Sequence, residues 1–334
     1  MGILKTLILT DNEVGSLLSM EEVIEAVEQA FKEKGLGHVQ MPPKPYLFFE
    51  RYSGDLRVMP SYLKRMDIAA VKVVNSHPKN PSSYSLPTVI ATVILIDPKN
   101  GAAIAIMGGA HLTAMRTGAA GGIAAKHLAR RDSKVVGLVG AGVQARTQVS
   151  ALLTVYGKLE EVRVCDKVEE ARNKFIAETG PQYGHLSDLI PVESVEKAVD
   201  GADIVVTTTP SKQPIVMDEW ISEGTHLNCI GADAPAKEEL DPAIMKRAKI
   251  VVDDWEQASH CGEIGVPLAK GIIKKEDIWG SIGEIVAGLK EGRSSRQEIT
   301  VFTSTGLAIQ DAVTANLAYE KARAGNIGRT IELT

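Results

Sequence analysis

From Ser19 onward the apolar residues Val23, Ile24, Val27, Ala30 and Phe31 recur three and four positions apart, the spacing that lines one face of an α-helix. Ser19, or Asp11 upstream, can cap this helix, because its side-chain oxygen accepts free N–H groups of a first turn. Ahead of them, Leu4 to Leu9 reads as a short strand. Met41-Pro-Pro-Lys-Pro45 interrupts the helical spacing, and from Tyr46 to Pro98 the chain turns to β-rich runs: YLFF, DLRVMP, AAVKVVN and TVIATVILID. The turn signal Asp97-Pro-Lys-Asn-Gly101 closes this region, which predicts an N-terminal α+β domain built on a sheet.

Ala110 to Arg130 is a helix rich in small residues. From Val135 the pattern becomes strand (VVGLVG), helix through Ala151, strand (EVRVCD), helix through Ala177, then the apolar runs VDGADIVVTTT, THLNCIG and AKIVVDD. Such alternation predicts a parallel sheet covered by helices on both faces, an α/β domain. Gly306 to Arg323 forms one more helix, whose place in space the pattern leaves open.

Composition narrows the function classes. With 334 residues, 44% of them hydrophobic and 24% charged, the chain is long enough for two globular domains. A net charge of −5 offers no basic field for nucleic acid. Cys165, Cys229 and Cys261 are odd in number and form no CxxC, which suits free thiols in a reducing, cytoplasmic compartment. The opening MGILKTLILT is too short an apolar run for a secretion signal or a membrane span.

The chemistry begins at Gly140-Ala-Gly142-Val-Gln-Ala145, a GxGxxA directly after the apolar strand Val135 to Val139 and opening a helix. In that context Gly140 permits a tight turn, Gly142 lets a pyrophosphate approach the backbone, and the helix N-terminus offers N–H groups to the anion. Asp166, at the end of the next strand, stands where an acid contacts the adenosine ribose, which favours NAD over NADP even with Lys167 and Arg172 close by. Two further strand ends carry Thr207-Thr208-Thr209 and Gly231-Ala232-Asp233. Asp233 either caps a helix starting near Ala236 or is a carboxylate beside a reacting carbon.

Arg57 and Lys72 lie inside apolar β runs. They are either solvent-facing residues on an open sheet face, or an arginine for a substrate carboxylate and a lysine for proton transfer. His77 reads as a loop hydrogen-bonder. His260, Cys261 and Glu263 match no zinc spacing, so no metal is expected, and Gly262-Glu263 reads as a turn.

The segments DLRVMP, VKVVNSHPKNP, AMRTGAAGGIAAKHLAR, VGAGVQARTQ, TTTPSKQP, CIGADAPAKEELD, VVDDWEQASHCGEI and STGLAIQD, in this order, resemble the ornithine cyclodeaminase and mu-crystallin family over essentially the whole chain. Within it the chain is similar to the alanine dehydrogenases. The resemblance implies a Rossmann NAD-binding domain over 116–305. It also implies a substrate-binding and dimerisation domain over 1–115, completed by a returning C-terminal helix within 306–334, and a homodimer joined through the N-terminal sheets. It makes Lys72 the proton donor and acceptor. Arg116 and the backbone at Val143 and Gln144 fall against the nucleotide phosphates, and Asp166, Lys167 and Val168 at the ribose. Gly231, Ala232 and Asp233 fall on the nicotinamide side, while Lys237 and Ser304 match further motif positions.

Cyclodeaminases carry an acid just before their M-P motif to hold ornithine's second amino group, whereas this chain reads Arg57-Val-Met-Pro60. A cation there implies a small amino-acid substrate: NAD-dependent oxidation of L-alanine to pyruvate and ammonia through an imine. Ornithine cyclodeamination and a non-catalytic, crystallin-like nucleotide binder are the alternatives. Cys261 stands where most relatives have glycine in an H-G-G-E loop.

Overall fold

The computed structural model describes residues 4–333, so the first three residues of the apolar opening lie outside the described residues. The chain divides into two compact units, one running up to Arg116 and resuming at Leu307, the other spanning Thr117–Gly306.

The first unit is built on an eight-stranded sheet. In spatial order its main path runs Arg329–Glu332, Lys5–Leu9, Ala103–Gly108, Val89–Ile96, Ile68–Ser76, Gly54–Leu63 and Val39–Gln40, with Tyr46–Phe49 also pairing Gly54–Leu63. The strand Ile68–Ser76 alternates buried and half-buried positions, with Ile68, Ala70, Lys72 and Val74 on the buried side. Cross-strand register places Met59 opposite Lys72 and Val93 opposite it on the other edge, so these side chains share one face. The helix Ala308–Gly325 packs against this strand, its two neighbours and the helix Met20–Gly35, which places the chain's last helix in this unit. The opposite face carries the half-buried apolar residues Val58, Pro60, Val71, Val73, Ile94 and Ile106.

Ser19 caps Met20–Gly35 as expected, its hydroxyl accepting from Glu22 N. Asp11 does not cap the helix that follows it, and instead accepts on its Oδ1 the His111 N–H from the first turn of the helix Ala110–Leu128, at 2.9 Å. Asp11 itself lies in the first turn of a helix, Asp11–Leu17, that Thr10 caps together with Glu13.

The second unit holds a wholly parallel eight-stranded sheet: Asp188–Val192, Glu161–Cys165, Val135–Val139, Ile204–Thr207, His226–Cys229, Ile299–Thr303, Ala248–Val252, Ile278–Ser281. The chain moves outward in one direction from Val135–Val139 and then restarts beside it with Ile204–Thr207. That is the order of a doubly wound dinucleotide-binding sheet, whose ligand crevice lies where the winding reverses. Successive residues of Ile204–Thr207 enter different cores, Ile204 and Val206 one and Val205 the other, so both faces are buried. The helices Val143–Tyr156 and Glu169–Tyr183 run further than the pattern suggests, the second through Pro181. A separate two-stranded sheet pairs Lys212–Val216 with Glu238–Leu240.

Candidate active site

In the first unit the sheet face under Ala308–Gly325 gathers charge at a core position. Lys72 is 1% exposed, and its Nζ donates to Asp311 Oδ1 at 2.7 Å and to Thr113 Oγ1 at 3.3 Å. Arg116 Nε donates to the same Asp311 oxygen at 2.9 Å, and its Nη1 to Gln310 Oε1 at 3.1 Å. Asp311 and Gln310 sit in the first turn of Ala308–Gly325, where a carboxylate also meets the positive end of the helix dipole. Gln310 Oε1 additionally accepts from Leu307 N at 2.7 Å, so one side chain caps the helix and holds the guanidinium. Two cations thus converge on one buried carboxylate. Burial, then the neighbouring Arg116 charge, lowers the Lys72 amine from its ordinary value to about 7, while Asp311 opposes the shift. A lysine with that value holds and releases a proton near neutrality.

The reading of Lys72 as a solvent-facing residue is therefore overturned: it fills a core slot between strands and helix. Arg57 shares its face, opposite Val74 and two residues along from Met59. Its Nε and Nη2 donate to Asp55 at 2.9 and 3.2 Å, and its guanidinium lies 5.2 Å from the centre of the Tyr46 ring.

In the second unit the predicted cofactor residues collect at the carboxyl edge of the parallel sheet. Gly140 follows Val139 with φ +101°, and a Cβ there would meet Thr208 Oγ1 at 2.5 Å. Thr208 thus stands across the winding reversal from Gly140, its hydroxyl donating to Val139 O at 3.2 Å. Around Gly142, the N-cap of Val143–Tyr156, a Cβ would meet nothing within 4 Å, and no side chain caps that helix. The first-turn N–H groups, Val143 and Gln144 among them, are therefore left for a ligand, and the open space at Gly142 fits a pyrophosphate. Asp166 accepts from Ala141 N at 2.9 Å and Val168 N at 3.0 Å, tying the second strand end to the glycine turn. Lys167 and Val168 are exposed beside it.

Asp233 caps no helix: Ala236 adopts φ +61° in a turn, and the strand Glu238–Leu240 comes next. Instead Lys237 Nζ donates to Asp233 Oδ1 at 2.5 Å and to Gly231 O at 3.1 Å, folding the loop Gly231, Ala232, Asp233 on itself. Ser304 joins this edge by donating its N–H to Cys229 O at 3.0 Å. His77 lies in the first unit, its ring against Gly54, and donates its backbone N–H to Thr88 O. Among the described residues no group of three or more His, Cys, Asp and Glu is placed to hold a metal ion, and no helix is long and apolar enough to cross a membrane.

Sequence reasoning missed Asp311, Gln310 and Thr113, and in the second unit Glu239 and Glu263. The signal that could have found them was the polar pair Gln310-Asp311 inside an otherwise apolar helical run, and two adjacent acids in a strand. Glu263 does more than shape a turn: it is buried and bound to two backbone N–H groups.

A model of the ornithine cyclodeaminase/mu-crystallin family matches residues 4–326. The alanine dehydrogenase of Archaeoglobus fulgidus is 51% identical over 329 residues, 98% of this chain and 99% of that protein. A solved archaeal alanine dehydrogenase dimer with bound NAD has a TM-score of 0.93 at 51% identity, covering 99% of this chain and all of that one (100%). The Thermococcus litoralis Δ1-pyrroline-2-carboxylate reductase, solved with NADH and L-proline, has a TM-score of 0.94 at 42% identity over 98% of this chain and 100% of that one.

Proposed function

The chain belongs to the ornithine cyclodeaminase/mu-crystallin family, and from that premise we propose that it is an NAD-dependent L-alanine dehydrogenase. The reaction is L-alanine + NAD⁺ + H₂O giving pyruvate + NH₄⁺ + NADH + H⁺, run in either direction. The observation that carries the assignment is Lys72, a buried amine held on Asp311 and poised to exchange a proton near neutrality.

NAD supplies the acceptor for the hydride that leaves the α-carbon. Gly140, Gly142 and the N–H groups at Val143 and Gln144 hold its pyrophosphate, and Asp166 its adenosine ribose. Arg57 fixes the substrate carboxylate on the first sheet, which leaves the amino group beside Lys72. Lys72 takes the proton that the amine must lose before hydride departure. It returns one as water adds to the imine and ammonia leaves. Arg57 selects against a second ammonium on the substrate, which favours alanine over ornithine.

We assign the active form as a homodimer. What supports this is the half-buried apolar sheet face around Val71, Val73 and Ile94, together with the dimeric state of the archaeal relative. Three free cysteines, all buried, suit a cytoplasmic setting.

The test is NADH consumption by purified protein with pyruvate and ammonium. Oxidation that requires both co-substrates supports the assignment. Proline and ammonia formed from ornithine without net NADH, or turnover of Δ1-pyrroline-2-carboxylate alone, would replace it with a cyclodeaminase or a cyclic-imine reductase.

A further inference from the structure

Two buried glutamates at the carboxyl edge of the parallel sheet take no part in the proton transfers assigned to Lys72, and their hydrogen bonds differ in a way that bears on their charge states. Glu239 is fully buried, and both of its oxygens accept: Oε1 from Thr209 N and Thr209 Oγ1, each at 2.7 Å, and Oε2 from Gly231 N at 3.1 Å. Glu263, 1% exposed, accepts on Oε1 alone, from Glu239 N at 2.8 Å and Leu240 N at 2.6 Å. Its Oε2 is buried with no hydrogen-bond partner.

A group that accepts on both oxygens is suited as an anion. A group whose second oxygen meets no donor is buried at less cost as the neutral acid. Glu239 ties together the ends of two neighbouring strands on one side of the cofactor crevice, since Thr209 comes just after Ile204–Thr207, which borders the winding reversal, and Gly231 just after His226–Cys229. A Cβ on Gly231 would meet Glu239 Oε2 at 2.6 Å, so the loop lies directly on the carboxylate.

We propose that Glu239 is a positioning residue that, as a carboxylate, fixes the Gly231–Asp233 loop for the nicotinamide end of the cofactor, and that Glu263 is kept as the neutral acid beneath it. The proposal rests on the reading that this edge takes NAD. The groups facing Glu263 agree. Glu239 and Glu238 lie on the adjoining strand, Glu238 pairing with Lys270 at 3.5 Å. The Cys229 thiol is pushed well up by burial and stays neutral. Burial raises the Glu239 carboxyl as well, but the Thr209 donors and then the Lys237 charge oppose that shift, whereas no cation is paired with Glu263 among the described residues. Burial, then the Glu239 charge, raises the Glu263 carboxyl to about 8. Above that pH a second anion forms against Glu239 and the loop loses its fixed position.

The experiment measures NADH affinity by fluorescence, and melting temperature, for the full-length protein, Glu263→Gln, Glu239→Gln and Thr209→Val. Glutamine at 263 copies the neutral acid. The expected result is that the parent loses NADH affinity severalfold as pH rises through about 8, while Glu263→Gln stays flat. The melting advantage of Glu263→Gln over the parent grows from about pH 4.5 to about 8 and then levels, because over that window the folded parent keeps a proton that its unfolded chain releases. Glu239→Gln weakens NADH binding tenfold or more at neutral pH. Should that variant not fold, Thr209→Val, which removes one donor to Glu239, weakens binding severalfold. Parallel pH courses for the parent and Glu263→Gln, or parental affinity in both Glu239→Gln and Thr209→Val, would overturn the proposal. A parent that never binds NADH, with the melting difference still growing, would retain the proton assignment while removing both the cofactor reading and the positioning role built on it.

Discussion

Asp311→Asn tests the assignment of Lys72 most directly. The substitution keeps the shape of the side chain and removes the charge that Lys72 Nζ meets at 2.7 Å and Arg116 Nε at 2.9 Å. Among the causes acting on Lys72, burial and Arg116 favour the neutral amine and Asp311 favours the ammonium. Without the carboxylate only causes that favour the neutral amine remain: burial, Arg116 and the smaller effect of the Lys44 charge. A hydrogen bond to a charged group is worth about 1.5–3 kcal/mol. At about 1.36 kcal/mol per tenfold, the protonated amine then becomes about ten- to a hundredfold scarcer above neutrality. Reductive amination, which draws a proton from Lys72, should slow by that factor at mildly alkaline pH. The acid limb of alanine oxidation, which needs the free amine, should move to lower pH. The assay is kcat/KM against pH in both directions at saturating cofactor. Stability falls as well, since breaking a buried ion pair costs about 3–5 kcal/mol, less where an amide oxygen remains as acceptor. A melting curve records that loss, but lost stability alone does not displace a pH limb. Unchanged pH limbs in both directions would refute the coupling of Asp311 to Lys72.

The same geometry carries other expectations. Lys72→Ala should lower kcat by about 10² to 10⁴, the usual worth of a positioned acid or base, with NADH affinity intact; activity within a few-fold of the parent would remove Lys72 from its role. Gly140→Ala places a Cβ 2.5 Å from Thr208 Oγ1 at φ +101°, and backbone strain of about 1–3 kcal/mol should weaken NADH binding about five- to a hundredfold by titration. Arg57→Ala should raise the KM for pyruvate by about ten- to a hundredfold through the loss of a charged hydrogen bond, with a smaller change in kcat. Burial pushes His226 down to about 3, so stability should be lost as pH falls from about 6.5 toward that value, where the unfolded chain takes a proton that the folded one refuses. A His226→Asn variant should melt with a weaker acid dependence.

The dinucleotide fingerprint was legible because its parts are local. A strand, a turn needing positive φ at Gly140 and a helix N-terminus occupy a dozen consecutive residues, and Asp166 stands at the next strand end. The alternation of strands and helices after Val135 was legible for the same reason. Strands as short as Asp188–Val192 and Ile278–Ser281 escaped, since a few residues with a proline or glycine among them carry no clear period. The helix expected near Ala236 failed because a left-handed residue and the Lys237 clamp on Asp233 turn the chain into a strand instead.

Residue types and local periods therefore determined which segments are strands and helices and where a nucleotide phosphate could rest. The charge state of Lys72 was decided only in the folded chain. Its counter-ion Asp311 lies 239 residues away, and Arg116 reaches the same oxygen across 195 residues of sequence. Whether a lysine in an apolar strand faces water or a buried carboxylate depends on which helix covers that face. Helix docking and strand register are set by the packing of the whole unit, not by the neighbours of Lys72 along the chain.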